Sequence, residues 1–397
     1  MNKLSAMISR LLIAVFSFSL FTALAAPVTI DVAAIDRERI LQAASRALEQ
    51  APLTITSFHA KYSDGGPNDF YSNGDYWWPN PKTTNGLPFI ELDGKTNPTN
   101  FIAHRQVVRQ LSDATAALGA AYKITGDDRY VKKSVELLHE FFLNPATRMN
   151  PSLPFAQAVP GVSRGRSYGI IDSLHLVEIP KAIEAMQNSP AFPAADLAGL
   201  KMWFADYITW LTTSKNGVTE ANAKNNHTVA FWLQVAVFAE FTGDEKQLVE
   251  SRRRFKEIFL PAQMAPDGSF PLELARTKPY GYSIFQLDNM ATLCQVLSTT
   301  NDDLWHFTLA DGRGIQQGVA FLYPFLADKS KWPHKPDIQA WAGWPAREPS
   351  LLFAGLAFGE QKYLDLWQRL PADPTDEEVR RNIAITQPIL WLNDSKN

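Results

Sequence analysis

LGAAYKITGDDRYVKKSVELLHEFF, Leu118 to Phe142, sets an apolar helical run against a tight turn at Gly126-Asp127 and then a second, charged run whose apolar residues return every three to four positions. The same order recurs in AVFAEFTGDEKQLVESRRRFKEIF, Ala236 to Phe259, and in GLAFGEQKYLDLWQRL, Gly355 to Leu370. The turn glycines Gly126, Gly243 and Gly359 stand 117 and 116 residues apart, too far for a short solenoid repeat. Hairpins with an apolar first helix and an amphipathic second one suit two concentric layers, buried inside and solvated outside. The expected fold is all-α, an (α/α) toroid built as an incomplete or complete barrel of six to seven helical hairpins, with long ordered loops lining a cleft.

Outward from these hairpins, an amphipathic pattern at Val32 to Gln50 reads as the first helix. Residues 57 to 100 then lose helical periodicity and carry ten Gly and Pro together with Tyr71, Tyr76, Trp77 and Trp78, which reads as a long ordered loop. Aromatic faces there suit sugar rings, and Asn73, Asp75 and Asn80 suit hydroxyls; the plainer reading is that Trp77 and Trp78 plug the end of the barrel. A second loop, Asn144 to Tyr168, holds Gly161-x-x-Arg164-Gly-Arg166-Ser-Tyr168 at a helix entrance. Arg166 and Tyr168 are candidate anion binders there, against structural salt bridges on the barrel rim. His175, inside the following helix, reads as a core or rim histidine.

Lys3, Arg10, the apolar stretch Leu11 to Thr22 and Ala23-Leu24-Ala25 form a cleavable secretory signal, residues 1–25, too short to span a membrane. A periplasmic or secreted protein follows, with residues 26–397 as one domain because no linker or low-complexity stretch divides them. Cys294, the single cysteine, lies in an apolar run and reads as a core residue. Formal net charge is −3, or −5 once Lys3 and Arg10 are removed, which speaks against nucleic acid as a partner. An anionic polymer can still bind where cations gather in a cleft; Lys82, Arg105, Arg164, Arg166, Lys224, Arg276 and Lys278 are the candidates.

Chemistry concentrates in two stretches. Asn225-Asn226-His227 opens the apolar run Thr228 to Phe241, where an Asn caps the helix and His227 either bonds a neighbouring loop or serves an anion. Glu273 to Asn289 packs Arg276, Lys278, Tyr280 and Tyr282 into seven residues before another apolar helix. Together these residue types suit removal of the proton beside a uronate carboxylate followed by loss of the sugar at C4. Asn226, His227 and Arg276 neutralise the carboxylate, and Tyr282, its phenolate favoured by a neighbouring cation, exchanges the proton. No metal or other cofactor is required, and no HExxH or close His/carboxylate pair is present.

At these residues the sequence resembles a known family. Asn225-Asn226-His227-x4-Trp232, ELARTKPYGYSIFQLDN and YSNGDYWWPNP (Tyr71 to Pro81) look like the alginate lyase superfamily, nearer to polysaccharide lyase family 38 than to family 5, from about Ser57 to about Asn289. The resemblance implies a helical toroid cleaving alginate or glucuronan by β-elimination, with Asn226, His227 and Arg276 on the carboxylate and Tyr282 as the catalytic hydroxyl. Tyr76, Trp77, Trp78, Asn225, Lys278 and Tyr280 join Arg166 and Tyr168 as expected substrate-binding residues. A glycoside hydrolase, needing opposed carboxylates among Asp75, Glu91, Asp93, Glu273 and Asp288, and a non-catalytic sugar binder are the rival readings. Within the lyase reading, alginate, polymannuronate first, stands ahead of glucuronan.

Overall fold

The computed structural model describes residues 28–392, so the expected signal at 1–25 lies outside the described residues. Long inner helices follow one another around the molecule: Ala103–Thr125, Glu178–Met186, Asn226–Thr242, Pro279–Leu297 and Pro349–Phe358, each packed on the next. Amphipathic helices such as Asp128–Leu138, Glu245–Arg254 and Gln361–Arg369 return on the outside. The fold is the all-α (α/α) toroid expected.

Burial separates the two layers. In Asn226–Thr242 only His227, Glu240 and Thr242 escape burial, and in Pro279–Leu297 only Gln295 and Val296. These helices need no polar face because other helices surround them. The inner layer is tight where Gly119 meets the neighbouring helix, since a Cβ there would lie 2.9 Å from the Ala182 Cα. One contiguous apolar core runs from Val32 to Leu392, and Cys294 is a free, buried member of it.

Each of the three hairpin glycines ends its inner helix in the left-handed region, with φ of 70° at Gly126, 80° at Gly243 and 67° at Gly359. Asp127 and Asp244 then cap the outer helices by accepting the backbone N–H of Arg129 and Gln247. The Gly-acid pair in the sequence is thus a helix stop followed directly by a helix start.

The two loops close over one end of the barrel. Tyr71–Asn73 pairs in parallel with Phe155–Ala158, and Trp77–Trp78 pairs antiparallel with Ile90–Glu91. Buried His104 pins the first loop: Nδ1 accepts the Tyr71 N–H at 2.9 Å and Nε2 donates to the Phe58 carbonyl at 3.0 Å. Burial lowers the His104 pKa, in keeping with a neutral ring that accepts at one nitrogen. Asn73 is also committed internally, its carbonyl oxygen accepting the Phe101 N–H, so it braces the loop and is not free for sugar hydroxyls. Among the described residues, no helix is long and apolar enough to cross a membrane.

Candidate active site

A cleft of about 670 Å³ opens between the loops and the inner helices. Tyr76, Trp77, Arg166, Tyr168, Asn225, Asn226, His227, Arg276 and Tyr282 all line it, although they come from four separate stretches of chain. Trp78, Lys278 and Tyr280 are not among the lining residues. Trp78 follows Trp77 on a strand, where side chains alternate, and donates its indole N–H to the Lys95 carbonyl. Tyr280 is fully buried, donates to the Phe325 carbonyl and packs on Trp332 and Trp341; two residues along a helix from Tyr282, it points to the opposite side. Lys278 is buried beneath the Tyr76 and Tyr282 rings in an ion pair with Glu378. These three expected binding residues are structural.

The helix Asn226–Thr242 delivers two groups from its first turn. Asn225 is the N-cap, but its side chain makes no capping bond. That task falls to Glu273, only 1% exposed, whose carboxylate accepts the Asn226 backbone N–H at 2.8 Å and Nδ2 at 2.5 Å. Burial raises the Glu273 carboxyl pKa, against the two Asn226 bonds and the nearby Arg276 and His227. His227 rests its Nδ1 on Glu220 Oε1 at 2.5 Å, and the edge of its ring meets Tyr168.

Tyr282, three residues into Pro279–Leu297, faces these groups with its hydroxyl 2.7 Å from that of Tyr76. Arg276 donates to the same oxygen at 3.4 Å, and its guanidinium lies 4.5 Å from the Tyr282 ring centre. The expectation that a cation would favour the phenolate is only partly met. Burial and Tyr76 raise the Tyr282 pKa well above that of an ordinary tyrosine, and Arg276 and Arg381 pull the other way without prevailing. Tyr282 is therefore held in its protonated form.

The expected basic cleft is also corrected, since seven carboxylates and five arginines line it. Arg276 binds Asp93 at 2.9 Å, Arg109 pairs with Glu377, Arg105 holds Asp75 with bonds of 2.9 and 2.6 Å, and Arg381 bridges Asp75 and Glu378. Asp75 is thus an internal counter-ion, not a hydroxyl binder; burial would raise its pKa, but Arg105 and Arg381 hold it far below the usual carboxylate range. Arg166 alone of the five makes no ion pair among the described residues. It donates to the backbone and side-chain oxygens of Gln157 at 3.0 and 3.1 Å and lies between the Trp77 and Tyr168 rings. Lys82, Arg164 and Lys224 lie outside the cleft lining, and Arg164 is paired with Asp64.

Sequence reasoning missed the whole wall supplied by Glu377–Asn382. Arg381 donates to the Tyr76 hydroxyl at 3.0 Å, so that an arginine 99 residues beyond Tyr282 reaches it through one phenol. The charge block Asp376-Glu377-Glu378-Val379-Arg380-Arg381 was the available signal, and in isolation it reads as a solvated helix. Gln157 was also passed over; its φ of 47° is a strained value for a non-glycine residue and turns its side chain to both Arg166 and Asp172. His175 is the structural histidine expected: its Nε2 bonds the Arg381 carbonyl, and burial lowers its pKa to about 3. Among the described residues, no group of three or more His, Cys, Asp or Glu is placed to hold a metal ion.

Comparison with known proteins decides the family. The model of the family described as alginate lyase matches residues 55–332. The chain belongs to the alginate lyase family. It is therefore a polysaccharide lyase, and its structure is similar to that of an alginate lyase from Bacteroides ovatus, with 33% identity, a TM-score of 0.79, and coverage of 88% of this chain and 93% of that one. Alginate lyase A1-III from Sphingomonas species A1 shares the fold at 16% identity and a TM-score of 0.54, covering 83% of this chain and 86% of that one. A histidine-to-alanine variant of A1-III complexed with a tetrasaccharide gives a TM-score of 0.56 at 16% identity, with 84% and 88% covered. No curated protein matches the chain. The lyase extends past the matched segment, and Glu378 and Arg381 of its cleft lie in that extension.

Proposed function

We propose that this lyase depolymerises alginate, with mannuronate blocks favoured, by β-elimination in the cleft around Tyr282. The observation that carries the reading is the meeting of Asn226, His227, Arg276 and Tyr282, drawn from two distant stretches, in one cavity. Asn226, His227 and Arg276 supply hydrogen-bond donors to the uronate carboxylate, which lowers the cost of placing negative charge at C5. Arg166, with no carboxylate ion-pair partner among the described residues, binds a neighbouring uronate.

Tyr282 and His227 do the acid–base work. In mannuronate the C5 proton and the C4 oxygen lie on the same face of the ring, so a single oxygen at Tyr282, once it has released its own proton to solvent, takes the first and protonates the second. Two neighbours, Tyr76 at 2.7 Å and Arg276 at 3.4 Å, stand ready to donate to that oxygen whenever it is ionised. In guluronate the two lie on opposite faces, and His227 takes the proton while Tyr282 serves the leaving oxygen. The short apolar segment near the N-terminus sends the enzyme out of the cytoplasm to meet its polymer.

Ultraviolet absorbance during incubation with polymannuronate, polyguluronate and glucuronan tests this, because only elimination creates the conjugated C4–C5 double bond. Absorbance should rise fastest on polymannuronate and vanish in Tyr282→Phe. A rise on glucuronan alone would move the substrate to that polymer; reducing ends without absorbance would defeat elimination altogether.

A further inference from the structure

The lyase mechanism leaves Glu220 unused, yet this acid is built into the fold with care. It ends the helix Lys215–Glu220, is 1% exposed, and its one hydrogen-bonded oxygen is spent on His227 Nδ1 at 2.5 Å. The other oxygen, Oε2, is buried with no partner. An ionised carboxylate in such a place is costly unless a cation answers it, and the only basic group bonded to it among the described residues is the imidazole.

The backbone that carries Glu220 is fixed as well. The carbonyl of the next residue, Ala221, accepts three hydrogen bonds, from Thr228 Oγ1 at 2.9 Å, Trp232 Nε1 at 3.1 Å and Arg254 Nη1 at 3.0 Å. Arg254 also lies 4.5 Å from the Trp232 ring centre. Thr228 and Trp232 belong to the helix that bears His227, so that helix grips the turn whose acid in turn grips its own histidine. This gives the Trp of the Asn-Asn-His-x4-Trp pattern a physical reason.

We infer that Glu220 is a positioning residue: it holds His227 by Nδ1–H so that Nε2 alone faces the cleft, where the bound uronate lies. The inference rests on the proposed elimination reaction. The titratable groups facing the ring are Glu220 from its own side of the chain, Glu273 from Pro271–Leu274 and Tyr168 from Ser167–Val177, while Arg276 and Tyr282 share the cleft. Glu273 is already occupied by Asn226, which leaves Glu220 as the acid that holds the ring.

Glu220→Gln keeps the shape and removes the charge. On polymannuronate its kcat/KM should fall about 10- to 100-fold, with circular dichroism and Tm near those of the parent. Trp232→Phe, which removes one of the three clamps and keeps an aromatic ring, should show a smaller loss of kcat/KM. In the unaltered enzyme, nitrogen NMR of histidine, with the signal assigned by its loss in His227→Gln, should show Nδ1 protonated. A folded Glu220→Gln enzyme with the parent kcat/KM, or a bare Nδ1 in the parent, overturns the inference while leaving the lyase reading intact. Absence of unsaturated product from the parent would overturn that reading instead, and the NMR result would still judge the hydrogen bond.

Discussion

Asp288 and Glu348 offer a stability experiment whose size follows from burial. Asp288 lies on the inner helix Pro279–Leu297, and Glu348 is the N-cap of Pro349–Phe358; they are 7% and 0% exposed. Neither makes an ion pair among the described residues. Their support is a backbone N–H each, from Ser350 to Asp288 at 3.2 Å and from Ala346 to Glu348 at 2.9 Å. Burial pushes the Asp288 carboxyl from 3.8 up to about 6, and burial together with the charge of Asp288 pushes Glu348 well above its ordinary value. The folded state therefore binds protons here more tightly than the unfolded chain. The corresponding stability is fully present below the unfolded pKa of Asp288 and is lost as pH rises through about 6. At about 1.4 kcal/mol for each pH unit of displacement, the loss is about 3 kcal/mol. Asn at 288 can still accept from Ser350 and donate to Glu348, so Asp288→Asn removes the titration with little change in shape. Urea unfolding of parent and variant should show the variant gaining about 3 kcal/mol on the parent between about pH 4 and pH 8. A difference between the two that stays constant within about 1 kcal/mol over that range would refute the account of a raised Asp288 carboxyl.

Three further outcomes can be measured. Asp93→Asn keeps a hydrogen-bond acceptor for Arg276 and Thr277 but removes the charge that competes with a uronate carboxylate; for so exposed a pair KM should fall about two- to fivefold, read from initial rates at low salt. Lys278→Met should cost about 2–3 kcal/mol in thermal or urea unfolding with KM nearly unchanged, because Lys278, itself outside the cleft lining, neutralises buried Glu378 and Arg381 remains to share that acid. Gly243→Ala should cost about 1 kcal/mol by calorimetry, entirely from forcing a side chain into φ 80°, since a Cβ there would touch nothing within 4 Å.

The hairpins were legible because a Gly-acid turn and a change from apolar to amphipathic pattern are local properties, and the three helix stops fall on the three glycines. Asn226, His227, Arg276 and Tyr282 were legible because rare residue types crowd the starts of helices that otherwise bury every side. What the sequence hid was direction and partnership. Tyr280 and Tyr282 look equivalent in the string, but helical geometry turns one into the core and the other into the cleft. Lys278 looks like a cation for substrate until Glu378, 100 residues on, is found beside it. The same holds for Asp75, whose two arginines come from positions 30 and 306 residues away. Pairings over such spans leave no trace in periodicity or composition.

The two-arginine grip on Asp75 also sets the timing of the enzyme's birth. Arg381, which joins that carboxylate to the Tyr76 hydroxyl, is synthesised 305 residues after Tyr76 and 99 after Tyr282. A nascent chain that already contains Tyr76, His227 and Tyr282 has no Arg381 with which to fix the covering loop. The order of translation thus withholds a finished catalytic centre until Arg381 has been made.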